Sequence, residues 1–117
     1  MYKVKNMKVS ELATLLELKL HCGDKGLQRE IRGAYASDLL SDVMGFAKEG
    51  DIWITLQTHR NVMAIASLKD LAAVILVKNF TPDQEMADAG DQENIPVLSS
   101  SLTTYELCGK IYNLLNK

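Results

Sequence analysis

Residues 71 to 77 read LAAVILV, a run of apolar side chains without a polar break. A strand with one face in water alternates apolar and polar residues, so an unbroken run ending in Val, Ile, Leu and Val predicts a strand buried on both faces, central in a parallel sheet. A helix needs about 20 apolar residues to cross a bilayer, so this run is no membrane span and a membrane is not an expected partner. A doubly buried strand requires helices over both faces of its sheet, and the flanking sequence must supply them.

The flanks do so in order. Ser10 is placed to cap a helix over residues 10–18, with Leu12, Leu15, Leu16 and the stem of Lys19 on one face. LKLHC (18–22) reads as a short strand, Gly23, Asp24 and Gly26 as a turn, and REIRGAYA (29–36) as a second strand. In ASDLLSDVMG (36–45), Leu39, Leu40, Val43 and Met44 recur at helical spacing, and Gly45 stands where a helix stop with left-handed backbone is expected. IWITL (52–56) reads as a buried strand, followed by a helix from about His59 to Leu68 with Val62, Ile65, Ala66 and Lys69 on one stripe. Thr81, Pro82 and Gln84 predict a cap, a first-turn proline and a capping-box partner for a helix reaching Glu93. PVL (96–98) is a short strand, and Thr103 with Glu106 opens a last helix whose core face is Leu107, Cys108, Ile111, Leu114 and Leu115. This alternation predicts an α/β fold: one domain over residues 1–117, with a mainly parallel sheet, right-handed crossovers and helices on its faces.

Composition narrows the function classes. A chain of 117 residues with 47% hydrophobic and 24% charged residues is expected to be an ordinary globular protein. The net charge is −2, and the densest basic group, Lys3, Lys5 and Lys8, reads as a solubilising arm, so nucleic acid is not an expected partner. Cys22 and Cys108 are far apart, with no disulfide framework and no metal-type spacing; together with the lack of a secretion signal this predicts a cytoplasmic address.

In an open parallel sheet, ligands collect at the carboxyl ends of the strands. Those ends are predicted to present Ser37 and Asp38, then Gln57, Thr58, His59 and Arg60, then Lys78, Asn79 and Phe80, and last Ser99, Ser100 and Ser101. With helix N-termini expected near residues 38, 59 and 103, this edge suits a small anion or a phosphate-bearing ligand. The same residues also serve as ordinary caps and solvated loops. Thr58, His59 and Arg60 together exceed what capping requires.

The enzyme signatures fail. GFAKEG has the glycine spacing of a phosphate loop, but Asp51 and Ile52 follow where Lys and Ser or Thr are needed. There is no GxGxxG, GxSxG or HExxH, and no cofactor or metal motif. His21 and Cys22, adjacent on a strand, are expected to point to opposite faces, and both cysteines sit in apolar patterns that hold a thiol neutral. A catalytic group of Asp38, Asp42 and His59 would need a convergence that spacing does not show.

LQREIRGAYASDLL, EGDIWIT, AAVILV, TPDQEM and IPVLSSSLTTYEL, spread from Leu27 to Leu107, together resemble the DRTGG domain and are similar to the amino-terminal domain of HPr kinase. Where that family often has Gly-Asp-Arg, this chain has Thr58, His59 and Arg60; near the place of Thr-Gly-Gly it has Val77, Lys78 and Asn79. The resemblance implies a regulatory or ligand-sensing module without catalytic activity of its own, a homodimer, and an adenine nucleotide or other phosphorylated small molecule as ligand. The alternative expectation is an interaction subunit that regulates a separate enzyme or kinase-type protein partner.

Overall fold

A computed structural model describes residues 6–116; Lys3 and Lys5 of the basic arm lie outside the described residues. In chain order the elements are β1 (Met7–Lys8), α1 (Val9–Leu15), β2 (Lys19–Cys22), a 3-10 turn (Asp24–Gly26), β3 (Glu30–Ile31), β4 (Gly33–Ala36), α2 (Leu40–Phe46), β5 (Asp51–Thr55), α3 (Asn61–Leu68), β6 (Ala73–Leu76), α4 (Gln84–Glu93), β7 (Val97–Ser99) and α5 (Thr104–Leu115).

The main sheet has the order β2-β7-β6-β5-β4, with β4, β5, β6 and β7 mutually parallel and β2 antiparallel on the outer side of β7. The strand read as central from LAAVILV is β6, in the middle of the sheet, and every residue from Leu71 to Val77 is at most 1% exposed. Side chains on successive strand residues alternate between faces. Ile52, Ile54, Ala73, Ile75 and Leu98 pack with Val9 and Leu12 of α1 and with Leu107, Ile111 and Leu115 of α5. Trp53, Val74, Leu76 and Val97 pack on the other face with Val43 of α2, Val62, Met63, Ile65 and Ala66 of α3, and Met86 of α4. Burial of each such large side chain contributes about 1.5–3 kcal/mol, and this two-sided core holds the helices over the sheet.

The chain steps from β4 to β5 to β6 to β7 without reversing, so the three intervening helices share one face and α5 returns over the other. The strand order never turns back on itself within the parallel part, and the crevice that opens at such a reversal is missing from this sheet.

Several local expectations are corrected. REIRGAYA is two strands: Glu30 and Ile31 pair with β1, the exposed Arg32 intervenes, and only Gly33–Ala36 joins the main sheet. The first helix is entered at Lys8, whose N–H donates to Glu11 Oε1 at 2.9 Å, and Ser10 lies inside the helix. The cap of α4 is Asp83, whose carboxylate accepts from Met86 N–H at 2.8 Å, so Thr81 and Pro82 precede the helix. Gly45 lies within α2, which ends at Ala47 in extended backbone, so it is no left-handed stop. Glycine is obligatory instead at Gly23, where φ is +76° and a Cβ would run into the Ile95 carbonyl.

Candidate functional site

The carboxyl ends of the parallel strands carry the residues singled out from the sequence, and all but Ser101 fall into three clusters. The first joins β4 to β5. Asp38 precedes α2, and its Oδ1 accepts from Thr55 Oγ1 at 2.8 Å and from Leu56 N–H at 2.9 Å, while its carbonyl accepts from Gln57 Nε2 at 2.9 Å. The Ser37 hydroxyl accepts from Leu39 N–H at 3.2 Å, and its carbonyl takes the indole N–H of Trp53 at 2.8 Å. Thr55 is 1% exposed, so Asp38 satisfies a hydroxyl cut off from water. Asp38 was expected in the first turn of a helix; the helix begins two residues later, at Leu40, and Asp38 is freed to reach across to β5.

The second cluster zips the loops after β6 and β7. Lys78 and Asn79 both take left-handed backbone, with φ of +54° and +60°. This turns Lys78 N–H toward Leu102 O and Asn79 N–H toward Ser100 O, each at 2.8 Å, while Ser100 N–H donates to Leu76 O at 2.9 Å. The Ser100 hydroxyl accepts from Leu102 N–H at 3.1 Å. Ser99 is buried and bonds to His21 Nε2 at 2.8 Å, where β2 shifts register between Leu20 and Cys22. Such an irregularity re-aims a side chain, and here it turns His21 onto Ser99. Burial, and next Lys19, lower the pKa of His21. Glycine-type conformation is thus present at Lys78 and Asn79 without glycine, and it serves loop closure: the amides that could cradle a phosphate are committed to carbonyls.

The third cluster lies between the loop after β5 and the start of α4. Thr58 O accepts from Asp83 N–H at 2.9 Å, and His59 Nδ1 meets Asp83 Oδ2 at 3.1 Å. The Met86 amide, and then His59, hold the Asp83 carboxyl below its usual pKa. Arg60 pairs with Glu85 at 3.6 Å, but both side chains are more than two-thirds exposed, so this contact is worth only about 0–1 kcal/mol and is easily opened. Lys78 Nζ sits 5.6 Å from the centre of the Phe80 ring, itself 40% exposed. Below Arg60, a groove of about 430 Å³ runs between α3 and α4, bordered by Glu85, Asp88 and Glu93.

Catalytic convergence is not what these contacts build. Asp38 holds Thr55 and Leu56, Asp42 accepts from the Tyr35 hydroxyl at 2.8 Å, and His59 holds Asp83. Burial and the nearby Asp91 push the Cys22 thiol up to about 11, and burial raises that of Cys108. Among the described residues no cluster of three His, Cys, Asp or Glu side chains is arranged to hold a metal ion, and no helix is long and apolar enough to cross a membrane. Sequence reasoning missed Asp83, the residue that ties two loops together. Its signal was an Asp, a preferred cap residue, directly before Gln84 and Glu85 at the true helix start, masked by the stronger-looking Thr-Pro pair.

A one-directional parallel sheet, flanked by helices and with its carboxyl edge laced loop to loop, defines a small α/β domain built around contacts at its loops. The model of the DRTGG domain matches residues 11–114, and the chain belongs to the DRTGG domain family. No curated protein matches the sequence. Among solved structures, the fold is similar to the CBS and DRTGG domains of the regulatory region of Clostridium perfringens pyrophosphatase, complexed with the activator diadenosine tetraphosphate. That similarity has a TM-score of 0.72 at 15% identity and covers 93% of this chain and 47% of the other. The present chain therefore spans about half the length of that structure.

Proposed function

We propose that this chain is a non-catalytic regulatory module, a single domain that senses an adenine nucleotide or other phosphorylated metabolite at the third cluster. The observation that carries the reading is that the exposed His59 and Arg60 follow β5, that Lys78 and Phe80 follow β6, and that these two loops are joined through Asp83. With the neighbouring amides consumed, phosphate recognition falls to side chains: the Arg60 guanidinium and Lys78 ammonium hold the anion, and the Phe80 ring offers a stacking face to a base. Ser37, Asp38, Gln57, Asn79, Ser99 and Ser100 act as the scaffold of this site. The activator in the pyrophosphatase regulatory region supports the choice of ligand class.

Titration calorimetry and thermal shift with ATP and diadenosine tetraphosphate test it. Ligand at ten times Kd stabilises by about 1.4 kcal/mol, and Arg60→Ala and Phe80→Ala weaken binding without lowering the unfolding midpoint. No shift at millimolar nucleotide sinks the ligand reading.

A second reading, an interaction subunit for a separate enzyme, is favoured by the exposed Leu39 (64%), Met44 and Phe46 (69%) at α2. Its check is co-purification from the native source: a catalytic partner recovered with the wild type and lost with Phe46→Ser supports it. Under both readings the module is a homodimer.

A further inference from the structure

We propose that the open edge of β4 is the surface through which two copies of this chain pair, strand against strand, into one continuous sheet. This rests on the homodimer reading and adds the surface to it; it also gives Leu39 and Phe46 to a second copy in place of a separate enzyme. A sheet edge offers unpaired main-chain groups, and folded chains ordinarily guard it with charge, proline or an irregularity. The edge at β2 is guarded in this way, by the exposed Lys19 and by the register shift between Leu20 and Cys22. The edge at β4 is bare. Gly33, Ala34, Tyr35 and Ala36 include no charge and no proline. The charged residues on either side turn toward β5: the Arg32 stem lies over Gly50, and Asp38 reaches Thr55.

Hydrogen bonds fix which groups of β4 face outward. Ser37 N–H donates to Ile54 O at 3.2 Å, and in a parallel ladder alternate residues point to the same neighbour. Tyr35 and Gly33 therefore face β5, while Ala34 and Ala36 turn their N–H and C=O groups away from the sheet. Two such edges match when they run antiparallel with a two-fold axis at Tyr35. Ala34 of one copy then exchanges both bonds with Ala36 of the other. The two Tyr35 side chains meet across the axis as a non-hydrogen-bonded pair, an arrangement that favours aromatic rings. Helix α2 completes the surface. Leu39, Asp42 and Phe46 stand at helical spacing on one stripe, and the bond from the Tyr35 hydroxyl to Asp42 sets that stripe on the β4 side. Leu39 and Phe46, 64% and 69% exposed, lie at its two ends. Because a two-fold exchanges the ends, Leu39 of one copy faces Phe46 of the other. A foreign strand could use the edge alone; a second copy meets the edge, the tyrosine and the apolar pair in one register.

Light scattering of the full chain at high micromolar concentration tests the surface. The wild type is expected to be a dimer. Ala34→Pro removes a donor that faces the open edge and leaves the ladder to β5 in place, as proline does on edge strands; it should weaken the dimer about a hundredfold. Phe46→Lys, at a position exposed in the single chain, should weaken it in the same direction with the unfolding midpoint of the monomer unchanged. Tyr35→Cys in a Cys108→Ser background should form a disulfide-linked dimer on mild oxidation, because non-hydrogen-bonded partners lie about 4.5 Å apart at Cα. A dimer that withstands Ala34→Pro and Phe46→Lys and forms no such disulfide uses another face: it overturns this inference and leaves the homodimer reading standing. A wild-type monomer overturns both.

Discussion

The two halves of the carboxyl edge are made from similar residues and hold themselves together differently. After β6 and β7 the loops are joined backbone to backbone, through Lys78, Asn79, Ser100 and Leu102. After β5 the ties are mostly made by side chains: Asp38 to Thr55 and Leu56, His59 to Asp83, Arg60 to Glu85. Main-chain pairing satisfies the amides and leaves only side chains for a ligand. Side-chain pairing between exposed groups can be exchanged for a ligand at small cost. Polar loop residues therefore do not announce a site by type; what matters is whether their bonds are replaceable.

The largest test of this contrast falls on Asp38, the one side-chain tie that is not replaceable. Asp38→Ala strands the buried Thr55 hydroxyl and the Leu56 amide, and should cost about 2–3 kcal/mol in urea unfolding; a loss under half a kcal/mol would place Asp38 with the exchangeable ties. A smaller effect of opposite sign is expected from Lys78→Gly. A non-glycine residue in left-handed backbone costs about 1–2 kcal/mol, part of which glycine returns as unfolded-state entropy, so the variant should gain about 0.5–1 kcal/mol. Asn79→Gly should gain less, because asparagine tolerates this region, and equal gains at both positions would contradict the strain argument. The smallest effect concerns pH. The pKa of His21 is lowered from 6.5 in the folded state, so below pH 6.5 the unfolded chain binds a proton that the folded chain refuses. Stability should fall as pH drops from 6.5 toward the folded pKa, and His21→Gln should flatten the curve over that window. An unchanged pH profile in the variant would show that the Ser99 contact does not depend on neutral imidazole.

How much of this was legible in the sequence follows from the range of the forces involved. LAAVILV sufficed to place β6 at the centre, because a strand buried on both faces leaves its mark in its own residues. The capping box at Thr103 and Glu106 was legible for the same reason: both partners lie within one turn, and the Glu106 amide donates to Thr103 Oγ1 at 3.3 Å. REIRGAYA looked like one strand because nothing in it reports that Ile31 pairs with Met7 while Ala34 pairs with Ile52. The positive φ at Lys78 had no local signal, since a lysine is forced there by carbonyls 22 and 24 residues further along, at Ser100 and Leu102. The candidate residues were found by applying a strand-end rule, but the partition into tied and exchangeable groups depends on which loops the strand order makes neighbours.

The lacing of Lys78, Asn79 and Ser100 also bears on time. Loop amides ordinarily exchange their hydrogens with water quickly, through local excursions that leave the sheet intact. These are bonded across two loops that continue directly from β6 and β7, so their exchange should be tied to separation of those strands. Mechanically they extend the sheet beyond its last residues. On the proposed ligand reading, contact at His59 and Arg60 would meet side-chain ties on the α3 side and this extension of the sheet on the other, so the ties toward α3 would be the first to change.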